Sequence, residues 1–378
     1  MSRPLLQLPM PTGSAVLDLL PRLVDALAGG PAVQPLPADA PAGTTTFDDL
    51  GDGDDPTAIV MATSGSTGDA KRVLLPSSAL AASAAATERR LGGPGGWLLA
   101  LPAHHIAGLQ VLLRAAGANA PIAVLDTGRP FTAAGFVAAV ATLESERRYV
   151  SLVPTQLHRI LADVAATEVL AGFDAVLVGG AATSPELLAR SSSAGIRTVT
   201  SYGMSETCGG CVYDGRPLDG VSVGIGDDGR ISLTGKVVAR GYLGMPGHQA
   251  FPEPGTFRTD DLGVLTDAGL TVLGRADEMI VSGGEKVPPA PIERALSGVP
   301  GIGEVVVVGV PDAEWGQQLV GVVTGVIPGD DQLAIALAQL PRHYRPRRWV
   351  HIDALPVRGP GKPDRAAAAR IAASAREG

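Results

Sequence analysis

The chain has 378 residues, of which 45% are hydrophobic, and its 38 acidic side chains outnumber 30 basic ones for a formal net charge of −8. This length points to two domains with sizeable cores, and the acidic balance, with a pI near 5.3, argues against a nucleic-acid partner. No apolar run approaches the roughly eighteen residues of a membrane span. Nor does a basic n-region with an apolar h-region open the chain, so no signal peptide, no membrane insertion and a cytoplasmic location are expected.

Along the chain, the first fifty-odd residues are rich in Pro, Ala and Asp and read as one helix over Ser14–Leu27. The acidic run Asp48–Asp55 lacks the closing glutamate of a calcium loop and reads as a solvated turn. The buried strand Ala58–Ala62 then feeds Thr63–Lys71, which spells T-S-G-S-T-G-D-A-K. Glycines that admit close approach, three hydroxyls and a lysine suit an anion cradle. A Ser/Gly surface turn is the rival reading, and the spacing fails the Walker pattern G-x-x-x-x-G-K-[ST].

Ser77 is the expected N-cap of an alanine-rich helix to Leu91, ended by Gly92 and Gly93. Strand-like runs at Trp97–Leu101, Ile122–Leu125, Tyr149–Val153, Ala175–Val178 and Thr198–Ser201 alternate with helix-like stretches such as Thr155–Val164 and Ser184–Ser192. That alternation predicts a parallel α/β sheet covered on both faces. From Val221 to about Leu273, short runs punctuated by Gly and Asp predict antiparallel β-structure. A small α+β unit follows: helix Pro291–Leu296, strands Glu304–Val308 and Leu319–Val326, helix Asp331–Leu340, strand Arg348–Ile352 and a tail.

Four further stretches suggest chemistry. Ser201–Thr207 (S-Y-G-M-S-E-T) closes a buried strand, where α/β sheets bind ligands; there a Tyr can stack on a base, a Ser can donate to phosphate and a Glu can hold Mg²⁺. Gly179–Ala182 offers bare backbone beside it, with a capped turn as the alternative. Phe257–Gly263 (F-R-T-D-D-L-G) contains paired aspartates, of which one suits ribose hydroxyls and the other a solvated turn. Gly274–Asp277 (G-R-A-D) falls where the composition changes and reads as a hinge or an ordinary interdomain turn. Near the C-terminus, Gly and Pro bracket Lys362, which suggests a held loop rather than a frayed basic tail. The only cysteines, Cys208 and Cys211, form a C-x-x-C without a second pair, and the nearest downstream histidine is His248, so neither a redox nor a zinc role is expected.

In this order, T-S-G-S-T-G-x-x-K, P-x-H-H at Pro102–His105, G-G-A, Y-G-M-S-E-T, R-T-D-D-L-G, G-R-x-D and P-x-x-x-x-G-K-x-D-R resemble the adenylate-forming superfamily of acyl- and aryl-CoA synthetases over residues 57–370. The resemblance implies an α/β fold: a large N-terminal domain (1–274) of parallel αβ layers with a small β-subdomain, a hinge (275–277), and a small mobile α+β C-terminal domain (278–378). It implies ATP and Mg²⁺ as cofactors and coenzyme A as co-substrate. Thr63, Ser64, Gly65, Ser66, Thr67, Gly68 and Lys71 would hold the β- and γ-phosphates, Tyr202 with Gly203 would stack on adenine, and Gly180 and Ala181 would line the base. Ser205 would contact the α-phosphate and Glu206 would bind Mg²⁺. Asp261, assisted by Arg275, would accept the ribose hydroxyls, Asp277 would be the hinge and Lys362 the catalytic lysine. His105 would gate the thiol tunnel, or else be a satisfied core residue.

The departures are Ala70 and Arg72 around the loop lysine, Ser205 where threonine is commoner, and the variant segment Lys286–Pro289. They remove no required group but leave the contacts of Lys71 open. The early position of the loop implies a trimmed N-terminal domain. L-P-A-H-H-I-A-G-L, R-R-Y-V-S-L-V-P-T-Q-L and the run from Ser201 to Gly220 are similar to short-form o-succinylbenzoate–CoA ligases of menaquinone biosynthesis. That similarity implies 2-succinylbenzoate as substrate, with Ser151, Thr155, Gly209 and Gly210 as lining. The rivals are another aryl- or short acyl-CoA synthetase, an adenylation enzyme loading a carrier protein, and an inactive nucleotide-binding regulator. The oligomeric state stays open, a homodimer being one option.

Overall fold

The computed structural model describes residues 3–47, 53, 55–63, 71–358 and 362–375, excluding the side chains of Arg358 and Lys362. Its first strands are β1 (Arg3–Pro9), β2 (Ala32–Leu36) and β3 (Gly43–Phe47), in a stretch whose sequence predicts only a helix. Prolines inside β1 and β2 mask their strand character. The helix expected over Ser14–Leu27 is split into a 3₁₀ stretch, Gly13–Leu19, and α1 (Leu20–Leu27). Pro21, in the first turn of α1, has no N–H to extend a ladder back into the preceding turn.

β4 (Thr57–Ala62) and β5 (Arg72–Pro76) form an antiparallel pair, with β4 parallel to β2. α2 (Ser77–Leu91) follows, and Gly92, at φ +106°, stops it as expected. Ser77 is not its cap: Pro76 holds that position, and the Ser77 hydroxyl donates to Leu27 O at 2.8 Å, joining α2 to α1.

The second layer runs β6 (Gly96–Leu99), α3 (Ile106–Gly117), β7 (Ile122–Val124), α4 (Ala133–Val140), β8 (Arg148–Leu152), α5 (Pro154–Ile160), α6 (Val164–Ala171), β9 (Ala175–Gly179), α7 (Pro185–Ser193) and β10 (Thr198–Met204). After a 3₁₀ turn over Ser205–Thr207, β11 (Gly209–Tyr213) and β12 (Arg216–Pro217) complete the sheet, in the order β12-β11-β10-β9-β8-β6-β7. Its strands are parallel from β7 to β10, whereas β11 and β12 run antiparallel. The helix expected at Thr155–Val164 ends at Ile160, because the Asp163 side chain accepts from Ala166 N and starts α6 instead. Alternate residues of these strands feed two cores: Trp97, Leu99, Tyr149 and Leu177 on one face, Leu98, Val150, Leu152 and Val176 on the other. The first face also packs against Ile59, Met61, Val73 and Leu75 of the first sheet. Both faces are therefore dry, as near-continuous apolar strands require.

β13 (Val221–Ile225), β14 (Arg230–Gly235), β16 (Thr256–Thr266) and β17 (Gly269–Arg275) form the antiparallel subdomain. Between them, β15 (Gly241–Tyr242) returns to pair with β5, so the first sheet is ordered β15-β5-β4-β2-β1-β3. The large domain thus has a mixed sheet beside the mainly parallel one.

After the turn Ala276–Glu278 come β18 (Ile280–Ser282), β19 (Glu285–Val287), α8 (Pro289–Leu296), β20 (Ile302–Asp312), β21 (Gly316–Gly325), α9 (Asp330–Ala336) and β22 (Arg348–His351). The chain continues through the hairpin β23 (Val357–Arg358) and β24 (Lys362–Pro363) into α10 (Arg365–Ser374). The expected tail is this helix, capped by Asp364, which accepts from Ala367 N at 3.0 Å. Separate cores around Ile292 and Val322 fill the two faces of this small α+β sheet. Arg294 of α8 donates to Val272 O of β17 at 3.0 Å, tying the small unit to the β-subdomain. No described helix is long and apolar enough to cross a membrane.

Candidate active site

The crevice lies beyond the carboxyl ends of β9 and β10. Ser201 pairs with Gly179, bringing exposed Gly180 and Ala181 beside the start of the Tyr202–Glu206 segment. A register irregularity at Tyr202–Gly203 breaks the β10–β11 ladder, the kind of bulge that re-aims a side chain. The strand can make this turn only with glycine at 203, since a Cβ there would lie 2.1 Å from Gly209 O. Cys208 and Gly209 both take positive φ, +53° and +92°.

Tyr202 Oη donates to Asp261 Oδ2 at 2.8 Å across 59 residues of sequence. Burial and the facing carboxylate push the Tyr202 phenol far up, so it remains a donor. Asp261 sits opposite Arg275 in the β16–β17 ladder, and its amide donates to Thr259 Oγ1 at 2.9 Å. Arg275 Nη1 lies 3.8 Å from Asp261 Oδ1, while its Nε and Nη2 grip both oxygens of Asp277 at 2.8 and 2.9 Å. One guanidinium thus spans the aspartate of β16 and the exposed aspartate of the following turn. The other aspartate, Asp260, is exposed and pairs with Arg230.

Glu206 is only 8% exposed, and its Oε1 accepts from Tyr242 Oη at 2.8 Å. Burial pushes the Glu206 carboxyl up, opposed by the Tyr242 bond and the charges of Lys71 and Arg275. A buried carboxylate raised in this way is suited to a cation that restores its charged form. Lys71 Nζ lies 4.9 Å from the Tyr242 ring centroid and 3.5 Å from His248 Nε2. Lys71 O accepts from Thr63 N at 2.9 Å and Thr63 Oγ1 at 3.2 Å, extending the β4–β5 pairing to these two residues. Ser64, Gly65, Ser66, Thr67 and Gly68 lie outside the described residues. Ser205 opens the 3₁₀ turn beside Glu206 and is half-buried.

His105 stands at the N-cap of α3, its ring 4.2 Å from that of His104. One turn on, Gln110 Nε2 donates to Cys208 O at 2.6 Å, and Gly209 faces Ile106 and Gln110. Ser151 is buried at the end of β8, Gly210 packs on Ser201, and Thr155 is exposed. Both cysteines are buried free thiols, and burial pushes Cys211 up to about 12. Their thiolates are therefore inaccessible at neutral pH.

Several residues near the site carry no signal of that place in the sequence. Tyr242 and His248 became visible only when β15 returned to β5. On α3, Arg114 is a buried guanidinium 5.5 Å from the Trp97 ring, and its Nε has no partner among the described residues. In the small domain, Trp315, Arg342, His343, Arg345, Arg347 and Ser282 line a cleft of about 250 Å³, with Arg347 3.8 Å above the Trp315 ring. The run P-R-H-Y-R-P-R-R was its sequence signal. The side chain of Lys362 lies outside the described residues, but Arg365, three positions on, pairs with Glu278 at 2.9 Å and with Glu293 Oε2 at 2.7 Å. Glu278 follows Asp277 directly.

Residues 20–247 match the model of the AMP-binding enzyme family, and residues 291–362 match the AMP-binding enzyme C-terminal domain. The chain belongs to the AMP-binding enzyme family. It is 44% identical over 373 residues to a probable 2-succinylbenzoate–CoA ligase of Mycobacterium tuberculosis, covering 96% of this chain and 97% of that relative. The family fold also superposes on the o-succinylbenzoate CoA synthetase of Bacillus subtilis in complex with its acyl-adenylate intermediate (TM-score 0.73, 25% identity, 94% and 81% coverage). A second structure of that synthetase, in complex with ATP and magnesium ion, matches in fold with TM-score 0.72 at 24% identity, covering 91% of this chain and 80% of that one.

Proposed function

We infer that this family member is an AMP-forming acid–CoA ligase that adenylates 2-succinylbenzoate and passes the acyl group to coenzyme A, releasing AMP and pyrophosphate, a step of menaquinone biosynthesis. The observation that carries the adenylating site is the meeting of Tyr202, Asp261 and Arg275 within one crevice beside buried Glu206. ATP and Mg²⁺ are its cofactors. Glu206 would hold the magnesium ion, which neutralises phosphate charge when bound.

Tyr202 presents its ring to adenine between Gly180–Ala181 and Gly203, while the bond to Asp261 fixes its tilt. Asp261 and Arg275 take the ribose hydroxyls. Thr63, Lys71 and the Ser64–Gly68 loop hold the outer phosphates, and Ser205 donates to the α-phosphate. The substrate carboxylate attacks the α-phosphorus, and pyrophosphate leaves. Two anions must meet, so positioning and neutralisation dominate the task, with Lys362 bridging carboxylate and phosphate. Rotation about Asp277 then withdraws Lys362 and admits the coenzyme A thiol, with His105 at its entrance. The thiol attacks the acyl carbonyl, and AMP leaves.

Ser151, Gly209 and Gly210 line the acid slot, with Thr155 at its edge. Arg114, the buried cation on α3, is the candidate for the untouched benzoate carboxylate, because an unpaired buried Nε calls for an acceptor. The Trp315 cleft, aromatic and rich in arginine, suits the phosphorylated nucleotide of coenzyme A. The experiment is pyrophosphate release over a panel of aromatic and short aliphatic acids, with mass spectrometry of the thioester. A coenzyme-A-dependent product from benzoate or a fatty acid, but not from 2-succinylbenzoate, would overturn the acid assignment.

A further inference from the structure

In the sequence His248 is only the nearest downstream histidine to the C-x-x-C pair, yet the fold sets it against Lys71, at the end of the crevice proposed for the phosphates. Its Nδ1 accepts from Ala250 N at 3.2 Å. A backbone N–H is only a donor, so Nδ1 is unprotonated and the neutral ring carries its hydrogen on Nε2. That Nε2–H faces Lys71 Nζ at 3.5 Å. Two donors therefore converge, and the opposite tautomer would relieve this only by losing the Ala250 bond. The ring is fixed edge-on to Tyr242, with centroids 4.9 Å apart, and Tyr242 in turn bonds Glu206. His248 is half-buried, so its outward edge reaches solvent.

We propose that His248 is a phosphate-binding residue, its Nε2–H and the Lys71 ammonium together holding one oxygen of the outer phosphates of ATP and of the departing pyrophosphate. An anionic oxygen between them turns two facing donors into two charge-assisted hydrogen bonds. This rests on the adenylation reading, and it adds a contact from the segment after β15 to the loop between β4 and β5.

Calorimetric titration of ATP, AMP and inorganic pyrophosphate, with magnesium present and no acid, tests it. His248→Phe keeps the edge-on ring contact and removes the donor. ATP and pyrophosphate should weaken about tenfold, the loss of one hydrogen bond to a charged group, with AMP within about twofold of wild type. His248→Gln should recover most of the loss, and His248→Glu, of the same size but anionic, should bind pyrophosphate worse than the Gln variant. Equal weakening of AMP and ATP would mean that His248 only supports Tyr242. Unchanged ATP and pyrophosphate, equal behaviour of Gln and Glu, or no pyrophosphate binding by the wild type would each overturn the proposal. A wrong acid assignment leaves these titrations unaffected and shows only in the thioester assay.

Discussion

At the end of the crevice proposed for the nucleoside the protein pairs its own charges; at the end proposed for the phosphates two donors, Lys71 and His248, face one another. Tyr202 donates to Asp261, and Arg275 bridges Asp261 and Asp277, so this end is fixed by protein–protein bonds. Across the crevice, Lys71 and His248 oppose donor to donor, and Glu206 is buried with its carboxyl raised. The nucleoside end is preorganised, which lowers the ordering cost of binding. On the proposed reading, the phosphate end is completed by what it binds, the leaving pyrophosphate included.

The largest expected effect would break the comparison by showing that neither end drives the chemistry alone. Lys362→Ala should lower adenylation by about a thousandfold or more, as loss of a group aimed at developing charge does, yet largely spare thioester formation from supplied acyl-adenylate. Single-turnover measurements of both half-reactions check this, and equal losses would sink the rotation about Asp277.

Asp261→Asn probes the preorganised end. It should weaken AMP and ATP alike by about ten- to thirtyfold, the worth of a charged hydrogen bond pair, whereas a phosphate-end variant spares AMP. A selective loss of ATP in the Asp261 variant would erase the distinction between the ends.

The pH dependence sharpens the phosphate end. Because burial raises the Glu206 carboxyl, a proton competes for it at higher pH than for an ordinary glutamate. Apparent magnesium affinity should therefore fall as pH is lowered, and begin to fall at a higher pH than an ordinary glutamate would require. Glu206→Gln should flatten that dependence, as the magnesium concentration at half-maximal pyrophosphate release would show.

The smallest effect is expected at Cys208 and Cys211. With both thiols buried and raised, maleimide should not label the folded protein, and Cys211→Ala should change turnover by less than about threefold. Cys208 is held through its carbonyl, which accepts from Gln110 and Ser83, rather than through its sulfur.

The sequence by itself determined the alternating αβ region, the antiparallel stretch after Val221 and most strand positions, because periodicity and Gly/Asp punctuation report burial locally. It also determined the residue types for ATP chemistry, since their spacing survives in a linear string. The strands β1 and β2, with internal prolines, and the helix α10, read as a tail, were invisible to local propensity and are held by pairing and packing. Only the tertiary structure decided which partners meet: Tyr202 with Asp261, Glu206 with Tyr242, Lys71 with His248 across 177 residues. The reason is physical. A hydrogen bond between distant residues leaves no periodic trace in the chain, and it exists only once the return of β15 to β5 and the bulge at Tyr202 have brought the groups together.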